Sequence, residues 1–363
     1  MNFPISTTIV VLFFLLTINK TYAFPDTIRH GYTNCTTCHI SPSGGGLLTN
    51  YGRSLSRELM STWGYKDEEN LLQGLFKIPD HLADTIHIGG DIRYLSKGEV
   101  KSDESESEGF LMQSQLRFGF ATDNIKFILS LGKIENPQES EKMRWVSPEY
   151  YVLWAPKEEL FIRAGRFEPI FGLRMPEHNL WIKSEIGFVP WLERDSFEII
   201  YESEKQFASL AGFQSISTVN PALQTTGYTA SLYQILGESN RLGVSFMNQE
   251  GQGIRKKTIS LHGIFSFSEK CYLLTENTSH WVLNQKNDIQ FIRLGYELIR
   301  GLNLLTQTQL LRNFNSSTSE KLKWGFGFNW LPRPHLELMT IYDKEQTVSK
   351  QSDEFMLLLH YYL

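Results

Sequence analysis

From about residue 85 to the end of the chain, apolar and polar residues alternate with a period of two. In "MQSQLRFGF", Met112, Ser114, Leu116, Phe118 and Phe120 fall on one face, and Gln113, Gln115, Arg117 and Gly119 on the other. "IKFILSL" sets Ile125, Phe127, Leu129 and Leu131 against Lys126 and Ser130. "LKWGFGFNW" sets Leu322, Trp324, Phe326, Phe328 and Trp330 against Lys323, Gly325, Gly327 and Asn329. Side chains of an extended chain point alternately to the two faces of a sheet, so each run predicts a strand with one apolar and one polar face. About 16 such runs follow one another, at strand lengths of roughly 9–11 residues. They start near Thr85, Gly109, Ile125, Trp145, Leu160, Phe197, Phe207, Thr225, Asn240, Arg255, Cys271, Asp288, Leu302, Ser319, His335 and Ser352. Some joins are tight ("IRGLNL", "LPRPHL"); others are long and polar ("SKGEVKSDESESEG"). The last run, "EFMLLLHYYL", alternates Phe355, Leu357, Leu359, Tyr361 and Leu363 to the final residue.

Residues 24–84 read differently. "SLSRELMSTWG" places Leu55, Leu59 and Met60 on one helical face, with Trp63 continuing it. Asp67 then precedes "EENLLQGLF" as the cap of a second short helix, with Glu68 and Glu69 in its first turn.

The chain has 363 residues, 35 basic against 40 acidic, and 13% aromatics: 24 Phe, 15 Tyr and 8 Trp. No run reaches the 18 or so apolar residues of a membrane-crossing helix. A chain that is polar on average, rich in aromatics and free of long apolar blocks hides a lipid-facing surface in its alternation. A soluble sandwich also alternates, but rarely with so wide and aromatic a stripe on strand after strand. The predicted fold is therefore mainly β: an antiparallel transmembrane β-barrel of about 16 strands over 85–363, preceded by a small helical segment over 24–84. Short turns at one end and longer acidic loops at the other suit a barrel with a periplasmic and an outer side.

At the N-terminus, "TIVVLFFLLTI" is an apolar core of signal-peptide length, and Thr21-Tyr22-Ala23 offers small residues at a cleavage site. No Lys or Arg precedes that core. We read residues 1–23 as a signal peptide; their removal takes away one charge, Lys20, and leaves the rest acidic. No dense basic stripe argues for nucleic acid.

Two of the three cysteines, Cys35 and Cys38, lie three apart with His39 next, in "NCTTCHISPSGGG". Cys-x-x-Cys-His is the c-type haem attachment pattern. Two thiols at that spacing reach the two vinyl groups of one haem, and the adjacent histidine lies under the iron as proximal ligand. A Cys35–Cys38 disulfide needs only an oxidising compartment and is the first alternative. A thioredoxin-like pair lacks its βαβ setting, and a zinc site lacks a second pair of ligands. Export favours haem, since covalent attachment occurs outside the cytoplasm. Cys271 stands alone in a strand run and reads as a small apolar filler.

"HGYTNCTTCHISPSGGGLLTNYGRSLS" resembles the N-terminal segment of a family of bacterial outer-membrane proteins in which a short cytochrome c-like segment precedes a porin-like barrel. The matching elements are His30, Cys35 to His39, Ser41-Pro42, Gly44-Gly45-Gly46, Leu48-Thr49 and Tyr51-Gly52-Arg53. A looser likeness continues in "RAGRFEPIFGLRMPEHNLWIK", Arg163 to Lys183. The resemblance implies one covalent haem c in the outer membrane of a Gram-negative bacterium and fixes no pathway. Tyr51 and Arg53 are placed to approach haem propionates, since arginine pairs well with carboxylates.

The group opposite His39 stays open at this level. His30 is near in sequence; Met60 follows on the predicted helix in His/Met order. His178 lies in a Pro- and Trp-rich stretch, 171–196, that is able to fold into the lumen; His81 and His87 are further candidates, as is an open sixth site. No other constellation argues for catalysis: "GRFEPIFG" lacks the glycine spacing and lysine of a phosphate loop. The leading expectation is electron transfer at the outer membrane, with periplasmic or multihaem cytochromes as partners. The alternatives are a haem-plugged or redox-gated porin and a five-coordinate haem enzyme.

Overall fold

The computed structural model describes residues 27, 29–30, 32, 35–70, 78–101, 104–135, 143–177, 179–188, 193–216, 224–283, 285–314, 320–347 and 351–363; the leader read over 1–23 lies outside them. One antiparallel sheet is built from β1 (Ile86–Lys101), β2 (Glu104–Ala121), β3 (Ile125–Glu135), β4 (Met143–Val146), β5 (Tyr150–Lys157), β6 (Leu160–Arg166), β7 (Glu193–Glu202), β8 (Gln206–Ile216) and β9 (Thr225–Leu236). It continues with β10 (Asn240–Gly251), β11 (Ile254–Ser268), β12 (Cys271–Val282), β13 (Gln285–Ile299), β14 (Leu302–Asn313), β15 (Glu320–Arg333), β16 (Leu336–Thr347) and β17 (Gln351–Tyr362). β4 and β5 are two lengths of one stave, since both lie on β3. The break between them is tied back through Ser130, whose N–H reaches the Glu149 carbonyl at 2.7 Å. β17 pairs with β1 from Asp91 to Lys101 and closes a 16-strand barrel. Closure removes the sheet edges, which is what lets strands live in lipid.

The alternation points outward as an apolar surface. Leu116, Phe118, Phe120, Phe127, Leu129, Leu131, Trp324, Phe326, Phe355 and Leu359 are exposed, while Gln113, Gln115, Ser130, Lys323 and Asn329 between them are buried. Apolar outside and polar inside is the reverse of a soluble sandwich and the pattern of a membrane barrel.

Three expectations need correction. Met112 does not share the outward row of Leu116. The β1–β2 register shifts between Arg93 and Tyr94, leaving Met112 unpaired as a bulge, and it packs inside the barrel. The acidic stretch read as a long loop is strand on both sides of residues 102–103, which lie outside the described residues: β1 and β2 stay paired to Lys101 opposite Glu104, with Lys97 Nζ 2.9 Å from Glu108 Oε1. The helical face through Trp63 also stops short. Helix α1 (Asn50–Leu55) passes into one π turn, Ser56–Met60, and then the chain straightens. Thr62 N–H donates to the Leu331 carbonyl at 2.9 Å, and Trp63 meets the Trp330 ring edge-on at 5.7 Å. Carbonyls left over at the end of β15 thus draw the chain out of its helix. The second helix, read from Asp67, begins with a turn at Lys66–Glu69, and its residues 71–77 lie outside the described ones.

Two insertions fill the lumen. From the short-turn end, residues 35–70 enter beneath the barrel. From the other end, residues 167–188 fold inward between β6 and β7, including the short helix α2 (Trp181–Ser184). Phe171, Leu173, Leu180, Trp181, Ile182, Ile186 and Phe188 form one apolar core with inward residues of β8, β10–β14, β16 and β17. The loop backbone is held by buried side chains. Glu276 accepts from Leu173 N–H at 2.7 Å, and Gln309 accepts from Trp181 N–H at 2.8 Å. Gln249 donates to the Ile186 carbonyl at 3.2 Å. The Pro- and Trp-rich stretch therefore lies in the lumen, apart from His178 and residues 189–192, which are outside the described residues.

Candidate functional site

Cys35–Thr37 form a single 3₁₀ turn, and its hydrogen bonds run on into His39. The Cys35 carbonyl accepts from Cys38 N–H at 3.2 Å and from His39 N–H at 2.9 Å. Residues three apart on such a turn lie above one another, so both thiols and the imidazole belong to one compact unit; the cysteines are free thiols. The chain then reverses through Gly44, Gly45 and Gly46, all left-handed at φ of 73°, 69° and 65°. Three consecutive such residues are tolerable only as glycine. The reversal brings Leu47-Leu48 back along His39-Ile40, with Ile40 N–H donating to the Leu47 carbonyl at 2.9 Å. Thr49 caps α1: its hydroxyl accepts from Gly52 N–H at 3.0 Å and donates to the Thr37 carbonyl at 2.9 Å.

The barrel wall grips this unit. Thr36 Oγ1 donates to Glu202 Oε2 at 3.3 Å. Arg163 reaches in from β6 as a fully buried hub. Its Nε donates to Glu198 Oε2 at 2.7 Å and its Nη1 to Ser41 and Ser43 hydroxyls at 3.2 and 3.1 Å. Ile40 and Leu47 pack with Ile128, Tyr151, Leu153, Ile200, Phe207 and Tyr233. At the far end of the segment, Arg53 donates to the Ile88 carbonyl, and His335 Nε2 bonds the Glu69 carbonyl at 2.8 Å.

Beside the motif the barrel lumen holds a cavity of about 530 Å³. Cys35, Cys38, His39 and the glycine run line one side; Ile264, Leu274, Leu305, Leu331 and Met339 give it apolar walls. Cations also line it: Arg117 and Arg241 from the wall and Arg174 from the folded-in loop. Burial pushes both thiols up to about 11, so they stay protonated. Burial also lowers the His39 imidazole to about 4, with Arg174 and Arg117 acting in the same direction and the Gly45 backbone against it. His39 is therefore neutral near pH 7, the form that ligates metals. Its Nδ1 is buried without a hydrogen-bond partner of good geometry. Arg174 bears electrostatically on both Cys35 and His39, so the two stretches singled out in the sequence meet here. Thiols, neutral imidazole, apolar walls and cations together suit a flat apolar macrocycle that carries carboxylates.

Of the candidates for the group opposite His39, Met60 lines the cavity. His30 does not; it sits beside the Arg29–Glu297 ion pair, where burial and the Arg29 charge lower its pKa. His81 is exposed, and His87 is buried near Leu47 and Gly119, outside the cavity lining. His178 lies outside the described residues. Tyr51 is exposed and bonded to Tyr32, and Arg53 is spent on the β1 backbone. The sequence reading missed His262 and His360, which line the cavity from β11 and β17. Their signal is faint: a polar residue on the inward side of an alternating run.

No family model and no curated protein matches the chain. Solved structures do. A loop-deletion form of OmpT, an outer membrane protein of Vibrio cholerae, aligns with a TM-score of 0.57 at 8% identity over 77% of this chain and 99% of that one. OprB of Pseudomonas putida aligns at 0.60 and 8% over 78% and 96%. An anion-selective porin from Comamonas acidovorans aligns at 0.58 and 10% over 77% and 99%. At such identities the shared property is the fold, a closed outer-membrane porin barrel, and these alignments leave about the share of the chain that lies ahead of β1.

Proposed function

We propose that this chain is a monohaem c-type cytochrome built into the lumen of an outer-membrane barrel, and that it passes electrons at that membrane. The observation that carries the reading is the Cys35-Cys38-His39 turn opening onto a cavity in the lumen that has apolar walls and arginines among its lining. Cys35 and Cys38 hold the haem by thioether bonds, and His39 gives its iron a nitrogen ligand. Arg174 and Arg241 stand as counter-charges for its propionates, while Arg117 is paired with Asp91 and Glu149. A bound haem c supplies a one-electron iron couple; the chain's part is to hold, orient and desolvate it. Residues 1–23 serve as the export signal, 24–84 as the haem segment and 85–363 as the barrel.

One haem does not span an apolar belt of about 25 Å, so partners are needed. The motif lies toward the short-turn end, the periplasmic end in barrels of this kind. Soluble periplasmic or multihaem cytochromes docking there fit the placement. The lumen filled by 167–188 weighs against a simple pore. Stopped-flow mixing of the purified, reduced protein with a ferric soluble cytochrome c tests the function. We expect haem oxidation within the mixing experiment and slower transfer at high salt. A haem that stays reduced toward every soluble cytochrome offered while reacting turnover-fast with peroxide or nitric oxide contradicts it and favours the enzyme reading.

A further inference from the structure

Among the described residues, three histidines line the cavity: His39, His262 and His360. Their hydrogen bonds fix what each has to offer. His360, on β17, has Nδ1 2.8 Å from Glu337 Oε2 on β16. A carboxylate accepts, so Nδ1 donates, and in the neutral ring Nε2 is then the nitrogen with the lone pair. That Nε2 is buried and has no partner. Histidines that bind metals commonly look like this, with one ring nitrogen donating to a carboxylate and the other free for the metal.

His262 is different. Ser231 spends its hydroxyl proton on the Ile170 carbonyl at 3.0 Å, so the 2.9 Å Ser231–Ser245 bond is donated by Ser245. Ser245 therefore accepts from His262 Nε2, 3.2 Å away. The accessible nitrogen of His262 is thus occupied, and the ring lies against Gly243, where an added Cβ would stand 2.4 Å from its Cε1. Only Nδ1, hemmed in by its own Cβ, remains.

The fold also sets the height of His360. The strand-like return that pairs Leu48 with His39 sets the Leu47 side chain against Gly89, where an added Cβ would stand 2.9 Å from Leu47 Cδ2 and 2.7 Å from the Leu363 carbonyl. His360 is three residues farther along β17, or about 10 Å at the strand rise. It therefore lines the cavity from a point higher on the wall than the contact of Leu47 with Gly89.

We propose that His360, oriented by Glu337, is the second axial ligand of the haem iron, so that the closing strand of the barrel completes the coordination begun by the N-terminal segment. This rests on the haem reading above. It makes the iron six-coordinate and low-spin, suited to electron transfer and closed to small substrates. It also means that full coordination forms only once β17 has closed the barrel.

The test is the visible and electron paramagnetic resonance spectra of purified full-length protein in detergent, with covalent haem scored separately on a denaturing gel. Wild type is expected to be low-spin in both oxidation states and slow to bind carbon monoxide. His360→Ala keeps its covalent haem but becomes high-spin and binds carbon monoxide readily. His360→Met restores a low-spin spectrum at a higher midpoint potential. Glu337→Gln, which leaves the ligand in place, raises the potential as the imidazole loses its anionic partner. His262→Gln leaves the spectra unchanged. A low-spin His360→Ala spectrum identical to wild type, or a high-spin wild type, overturns the ligand assignment while the haem reading stands. A wild type without covalent haem overturns both.

Discussion

Gly52 lets the first turn of α1 lie on the Cys38 carbonyl, since a Cβ there would stand 2.3 Å from that oxygen. Gly52→Ala forces the helix and the Cys35–His39 turn apart, at a cost on the order of 1–3 kcal/mol, typical of overpacking. We expect less covalent haem per barrel, with the barrel still folded by its heat-shifted gel mobility. His335 gives a pH dependence. It is fully buried in the β15–β16 turn, with Glu69, Ser56, Arg53 and Tyr362 about it. Burial lowers its pKa to about 4, with the Glu69 carbonyl opposing and Arg53 assisting. A histidine whose folded pKa is depressed binds its proton more readily once undocked, so its share of stability is present above the ordinary value near 6.5 and is lost as pH falls from there toward 4. Protease cleavage between residues 35 and 70 should rise over that window in haem-free protein, and His335→Gln should make the rise smaller, leaving the share carried by the buried His39. At this scale Cys35, Cys38 and His39 were legible as candidates because they fall within five residues of the chain. His360 and Glu337 were not, because a barrel gathers lumen-facing positions from strands far apart in the chain.

The strands were the most legible elements. Ile125, Leu160, Thr225, Asn240, Cys271 and Leu302 begin strands where the alternation begins. Alternation reports only which face a residue takes. It is blind to pairing, so neither the Met112 bulge nor the strand character of the acidic stretch could be read from it. The docking of the N-terminal segment was equally invisible, since it depends on Arg163 being 122 residues from Ser41 in the chain and 3.2 Å away in space. Arg163→Ala strips Glu198 of its partner at a buried site, which typically costs about 3–5 kcal/mol. Hydrogen exchange should then show loss of protection over 35–48 and over 167–173, because Glu198 Oε1 also accepts from Ile170 N–H. Protection of β10–β16 should stay as in wild type.

The whole molecule is a porin-type barrel whose lumen is occupied from both ends. In planar bilayers it should conduct far less than an unobstructed 16-stranded porin. Replacing 171–188 by a short Gly-Ser linker should raise conductance, since it removes the apolar core that fills the loop side. High conductance from wild type would instead favour the transport reading. The coupling of barrel and motif gives the chain its proposed role: the wall supplies cations, apolar surface and a histidine to a cofactor that the N-terminal segment anchors. The most direct test is the visible spectrum, oxidised and reduced, of protein purified from the outer-membrane fraction, read beside a haem-stained denaturing gel. The account predicts a low-spin c-type spectrum, one haem per chain, and a stained band that normal attachment no longer gives in Cys35→Ala. A purified barrel with no haem absorbance, or equal staining in Cys35→Ala, would contradict it.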